Sequence, residues 1–156
     1  MGWALMLKVV VDTSVFIAAL KSPTSNSSPR QILRLWREGR FSLVMAPLLL
    51  QELASRLLRQ GVDAADIEDL LVDIRAIALH IPGAYEATRL DEVDPDDNKF
   101  LAAAYEAKAD YLVSVDNHLL SLKYYHGTQI LTPVLFLRAL LENGGGNLGR
   151  GNSLPP

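Results

Sequence analysis

The chain has 156 residues, no cysteine, a net charge of −3 and a hydrophobic fraction of 49%. That length and apolar content suit one domain with a real core, and the lack of cysteine excludes disulfides, thiolate metal sites and cysteine nucleophiles, so any metal must be held by oxygen or imidazole. No apolar run reaches the ~18 residues of a membrane span, and the start "MGWALMLKVVV" has no basic leader, so a cytoplasmic protein with no membrane partner is expected.

Taken in chain order, "LKVVV" (7–11) lacks polar alternation beyond Lys8, as a strand covered on both faces does, and it runs straight into Asp12. "SVFIAALKS" reads as a short helix and "SPTSNSSP" as a polar loop. Ser28 as cap and Pro29 as first residue open the next helix, which places Ile32, Leu33, Leu35 and Trp36 on a core face and Arg30, Arg34 and Arg37 on the other. "RFSLVMAP" reads as a second strand, followed by a helix opened by Pro47 and closed by Gly61. A further amphipathic helix runs from Ala64 to Leu79, and "IALHIP" supplies a strand.

Beyond an acidic loop, "NKFLAAAYEAKA" is a helix, "DYLVSVD" a strand ending on Asp116, "NHLLSL" a short helix, "TQILTP" a short strand and "VLFLRALLE" the last helix. The expected domain is 7–140, with 141–156 as a flexible Gly-rich tail. Strands alternating with helices predict an α/β fold: a sandwich with a mostly parallel central sheet flanked by helices.

Charge is unevenly spread. Lys21, Arg30, Arg34, Arg37 and Arg40 meet only Glu38 between 21 and 40, whereas five acids and no base lie between Asp91 and Asp97. Ligands in open parallel sheets sit beyond the carboxyl ends of the strands, where both Asp12 and Asp116 fall. Each residue also reads as the N-cap of the helix that follows it. If their strands are neighbours, the two carboxylates meet, and like charges that close call for a counter-ion such as a hard divalent cation. In "DEVDPDDNKFLAAA", Asp94 reads as a cap with Pro95 at the first helical position, and helical periodicity places Asp96 and Asp97 equally close to the core face. Glu52, in "LLLQELASRLL", reads on its own as a surface glutamate. His80, His118 and His126 show no metal-ligand spacing and read as structural or exposed.

Together, "VVVDTSVF", "LLLQEL" and "DDNKFLAAAYEAKADYLVSVDNHLL" resemble the PIN-domain nucleases over about residues 8–137. The resemblance implies a three-layer sandwich with acids gathered at the strand ends around one or two Mg²⁺ or Mn²⁺ ions. Carried over by position, the catalytic and metal-binding acids are Asp12, Glu52, Asp97 and Asp116, with supporting hydroxyls at Ser14 and Ser114. The resemblance selects Asp97, where periodicity leaves Asp96 open. Some members carry a further acid two residues after the last aspartate, where this chain has His118.

Resemblance further points to RNA cleavage, a homodimer, and the toxin of a toxin-antitoxin pair restrained by a cognate antitoxin protein. The face carrying Arg30, Arg34 and Arg37 is the candidate for RNA backbone contact. Two other readings stand beside this one. A haloacid-dehalogenase-type phosphohydrolase also places an aspartate after a strand, but needs an acid where Ser14 stands. A PIN-like binding module without catalysis would keep the fold and lose the metal.

Overall fold

The structure, a computed structural model, describes residues 6–149. In chain order the elements are β1 (Lys8–Val11), α1 (Thr13–Lys21), α2 (Ser28–Arg37), β2 (Ser42–Met45), α3 (Pro47–Arg59), α4 (Ala64–Ile77) and β3 (Leu79–His80), followed after the acidic loop by a 3₁₀ turn (Pro95–Asp97), α5 (Asn98–Ala107), β4 (Tyr111–Val113), α6 (Asn117–Leu120), β5 (Tyr124–Tyr125), β6 (Thr128–Leu131) and α7 (Pro133–Gly149). They build a six-stranded sheet in the order β3-β2-β1-β4-β6-β5, parallel except for the β5–β6 pair.

β1 lies at the centre. Val9 and Val10 are fully buried between neighbours and covering helices, which explains the unbroken apolar run. α5 packs against β1, β2 and β4, while α7 packs against α2, β4 and β6. Trp36, Phe16, Phe100 and Phe136 are the largest side chains of the resulting core. Successive strands run from β1 outward through β2 to β3, and the chain then returns to the other side of β1 to add β4 and β6. The reversal opens a crevice at the carboxyl ends of β1 and β4, the place where such sheets bind ligands.

Several boundaries differ from the sequence reading for local reasons. α2 begins one residue early, because Ser27 rather than Ser28 caps it, its Oγ accepting the Arg30 N–H at 3.3 Å. α4 stops at Ile77, and Leu79 pairs with Val44 in the sheet instead of extending the helix. Asp94 occupies the position of a cap but accepts no capping hydrogen bond, and Pro95–Asp97 form a 3₁₀ turn before α5 starts at Asn98. The segment expected as a tail from 141 begins inside α7, which runs to Gly149, and residues 150–156 lie outside the described residues. No helix among the described residues is long and apolar enough to cross a membrane.

Candidate metal centre

Asp12 is placed by the sheet. Its N–H donates to the Val113 carbonyl of β4 at 2.9 Å, so β1 and β4 remain paired up to the acid itself. Its side chain does what a cap does, Oδ1 accepting the Ser14 N–H at 3.2 Å, yet its other oxygen is turned inward and accepts the Ser114 hydroxyl at 2.6 Å. Ser114, fully buried, in turn accepts the Asp116 N–H at 2.9 Å. One hydroxyl thus ties the acid after β1 to the acid after β4. Asp116 also caps α6, accepting the His118 N–H at 2.8 Å. Both readings of these two aspartates therefore hold at once: each is a cap, and each stands at the crevice.

Asp97 comes to the same place from the 3₁₀ turn. It is 8% exposed, its Oδ2 has no hydrogen-bond partner, and its carboxyl lies against that of Asp116. Burial, then the hydrogen bond with Asp116, then the charges of Asp116, Asp12 and Asp94 push its pKa up to about 8. Of the two, Asp97 is the carboxyl whose protonated form burial and its neighbours favour. Burial pushes Asp116 upward as well, but the bonds it accepts from Asp97 and from the His118 N–H outweigh burial and hold it below the ordinary range. Burial also raises Asp12 against the opposing pull of Ser114 and Ser14. Such a set of oxygens, pressed together with one buried oxygen unpartnered, fits a divalent cation, whose charge would replace the shared proton.

Two residues not chosen from sequence complete this corner. Asp94 and His118 lie beside Asp116, with His118 Nδ1 3.2 Å from Asp94 Oδ2 and 3.7 Å from Asp116 Oδ1. No spacing rule could have found them, because Asp94 returns from the acidic loop, 24 residues before His118.

Glu52 is engaged elsewhere. Its Oε1 accepts the Lys99 ammonium at 2.5 Å and its Oε2 faces Arg56 at 3.6 Å. Lys99 spends its other donors on the Asp96 carbonyl at 2.6 Å and the Asp96 carboxylate at 2.9 Å. Although burial works against its charge, the bonds to Glu52 and Asp96 raise the Lys99 pKa. Glu52 therefore anchors the turn that carries Asp97, and it lines an adjoining cleft of about 490 Å³ with Gln51, Ser55, Pro95, Asp96 and Lys99. Ser14 contributes its N–H to Asp12, while its own hydroxyl is buried without a partner.

The arginines lie apart from the acids. Arg30, Arg34 and Arg37 line a cavity of about 540 Å³ with Ala19 and Leu20, near the far end of the helix that Asp12 caps, about 10 Å along its axis. Arg34 pairs with Glu38 at 3.5 Å and Arg37 with Asp73 at 2.7 Å, whereas Arg30 makes no ion pair among the described residues and its Nε is buried without a partner.

A protein of Methanocaldococcus jannaschii, the uncharacterized protein MJ1680, is 33% identical over 123 residues, covering 75% of this chain and 76% of its own. The crystal structure of PAE2754 from Pyrobaculum aerophilum has a similar fold, with a TM-score of 0.53 at 18% identity over 88% of this chain and 90% of that one. The family model described as the PIN domain matches residues 8–118, the span from β1 through His118 that holds every acid described above. That match sets the haloacid-dehalogenase-type reading aside and carries with it nuclease chemistry on nucleic acid with divalent metal: the chain belongs to the PIN domain family.

Proposed function

We propose that the chain is an endoribonuclease dependent on Mg²⁺ or Mn²⁺, acting in the cytoplasm as the homodimeric toxin of a toxin-antitoxin pair and held in check by a cognate antitoxin protein. The observation that carries this reading is the meeting of Asp12, Asp97 and Asp116 at the crevice, where Ser114 ties the first acid to the last and Asp97 is buried with one oxygen unpartnered. Asp12, Asp97 and Asp116 would hold the ion, and Glu52 would act through Lys99 on the turn beneath Asp97. A bound divalent ion supplies Lewis acidity and neutralises charge growing on the phosphate. Ser114 keeps Asp12 and Asp116 in a fixed relation, which spares the site reorganisation during the reaction.

Net negative charge near the acids repels a polyanion, so backbone binding falls to cations at a distance. Arg30 and Arg34, about one short helix from Asp12, suit a phosphate flanking the scissile one, while Arg37 is committed to Asp73. The test is incubation of purified protein with a labelled structured RNA and with DNA of the same sequence, in Mg²⁺, Mn²⁺ or EDTA. Internal cleavage of the RNA alone, and only with metal, is expected. Cleavage of DNA alone would overturn the substrate assignment, and metal binding without any cleavage would favour the non-catalytic PIN-like module.

A further inference from the structure

The cavity beside α2 has a floor that belongs to the core: Ala19 is fully buried, Leu33 is buried and Leu20 is half-buried next to them. Ser25 and Asn26 form an exposed rim. The loop that carries them is held in place, because Gln31 Nε2 donates to the Asn26 carbonyl at 2.6 Å and the Asn26 N–H donates to Thr24 Oγ1 at 3.2 Å. Arg30 shares this cavity, part-buried, with its Nε out of water and without a hydrogen-bond partner. Burying a guanidinium N–H without an acceptor costs free energy that an anionic oxygen recovers. Neighbouring arginines differ: Arg37 is held by Asp73 at 2.7 Å, while Arg34, with a side chain 56% exposed, meets Glu38 only at 3.5 Å, a contact weak enough to yield. Lys99 differs too, since its ammonium has acceptors on both Glu52 and Asp96.

We propose that this cavity is a nucleotide pocket, which takes one unstacked nucleotide of the RNA with its phosphate on Arg30 and so restricts the substrate to a single-stranded segment beside the cleaved bond. The inference rests on the nuclease reading and deepens it by naming the substrate class. A volume of about 540 Å³ lies within the range of small-molecule sites, about 300–1,000 Å³, and is more than a bare phosphate fills. The guanidinium suits the phosphate, the apolar floor suits a base or ribose face, and the rim hydroxyl and amide suit their polar edges. A protein carboxylate would also satisfy Arg30, but it would leave the floor and most of the volume unused. In a duplex, successive nucleotides of one strand rise about 3.4 Å and stay stacked and paired. A base enters a cavity only by leaving that stack, which costs least where the strand is already single. The pocket lies about 10 Å from Asp12 along α1, so one strand can run from Arg30 to the acids.

The experiment titrates the full chain in EDTA with adenosine 5′-monophosphate, inorganic phosphate or a polyglutamate peptide, and follows the Arg30 Nε–H signal by nitrogen-edited NMR. The nucleotide should shift that signal and bind at least about tenfold more tightly than inorganic phosphate, the difference being what the nucleoside contributes on the floor. Arg30→Ala should lose about tenfold or more in nucleotide affinity, whereas Arg40→Ala, at an exposed arginine outside the cavity, should bind as wild type does. A second arm offers one RNA sequence in Mn²⁺, either single-stranded or annealed to its complement. Wild type should prefer the single strand by about tenfold or more, and Arg30→Ala should lose most of that preference. Nucleotide no tighter than inorganic phosphate, or tighter binding of the polyglutamate peptide, overturns the inference and leaves the nuclease reading intact, a result that needs no variant to fold. Equal cleavage of the two RNA forms by wild type also overturns it. Nucleotide seated at Arg30 in a protein that cuts no RNA with either metal keeps the pocket and overturns the nuclease reading.

Discussion

Replacing Asp97 by asparagine should stabilise the metal-free protein while abolishing its response to metal. In the folded chain Asp97 keeps its proton up to about pH 8, against an ordinary value of 3.8. A raised acid pKa means that the folded state binds the proton more tightly than the unfolded state does. The resulting stability is fully present below about pH 4 and is lost as pH climbs toward 8, at ~1.4 kcal/mol per pH unit. At pH 7 the penalty is at most about 4 kcal/mol by that slope, and the depressed pKa of Asp116 offsets part of it. The side-chain amide introduced by Asp97→Asn still donates to Asp116 and does not titrate. Urea denaturation in EDTA at pH 7 should therefore find Asp97→Asn more stable, by less than about 4 kcal/mol, with the gain shrinking toward pH 4. Mn²⁺ at a hundred times its Kd should stabilise wild type by about 2.7 kcal/mol and leave the variant nearly unmoved. A variant less stable than wild type in EDTA at pH 7, or a gain independent of pH, refutes the reasoning.

Ser114→Ala strands the Asp116 N–H and removes the hydroxyl bound to Asp12, so thermal or urea unfolding should show a loss of about 2–4 kcal/mol, and Mn²⁺ affinity should drop ten- to a hundredfold. A loss under about 0.5 kcal/mol, the effect of an inert surface change, contradicts the link between the two acids. Glu52→Gln retains an acceptor for Lys99 and should cost less than about 1 kcal/mol, whereas Lys99→Met leaves the mostly buried Glu52 with Arg56 alone and should cost about 1–3 kcal/mol, both read by thermal unfolding. Equal costs would mean that the clamp on the turn is not formed. Arg30→Ala should weaken RNA binding and flatten its salt dependence by about 0.7 in log–log slope, while Arg37→Ala, whose guanidinium is held by Asp73, should leave the slope unchanged. The reverse ranking, measured by fluorescence anisotropy at several salt concentrations, would move the RNA path away from Arg30.

How far the sequence could be read depended on the range of the forces involved. β1 and β4 were legible because strands buried on both faces show as unbroken apolar runs, and the acids that follow them were marked by position alone. Whether the two acids meet depends on β1 and β4 being neighbours, a property of sheet order that no local pattern records. β5 escaped notice because it is two residues long and exists only as the partner of β6. Its signal was the His126-Gly127 pair, where both residues take positive φ, 49° and 88°, as a tight hairpin requires. Glu52 joins the acids only through resemblance, and no local pattern records its pairing with Lys99, which the packing of α3 against α5 brings over. His118 read as bland because its partner Asp94 arrives from a loop without periodicity.

The metal centre is tested most directly by hydrolysis of a labelled structured RNA by wild type and by Asp12→Asn, each in Mn²⁺ and in EDTA. Asparagine keeps the oxygen that caps α1 through the Ser14 N–H, so the fold should survive while the charge is lost. Cleavage by wild type in Mn²⁺, absent in EDTA and reduced at least about a hundredfold in the variant, is the predicted result. Equal cleavage by a folded Asp12→Asn, or cleavage that persists in EDTA, would contradict a metal centre built on Asp12.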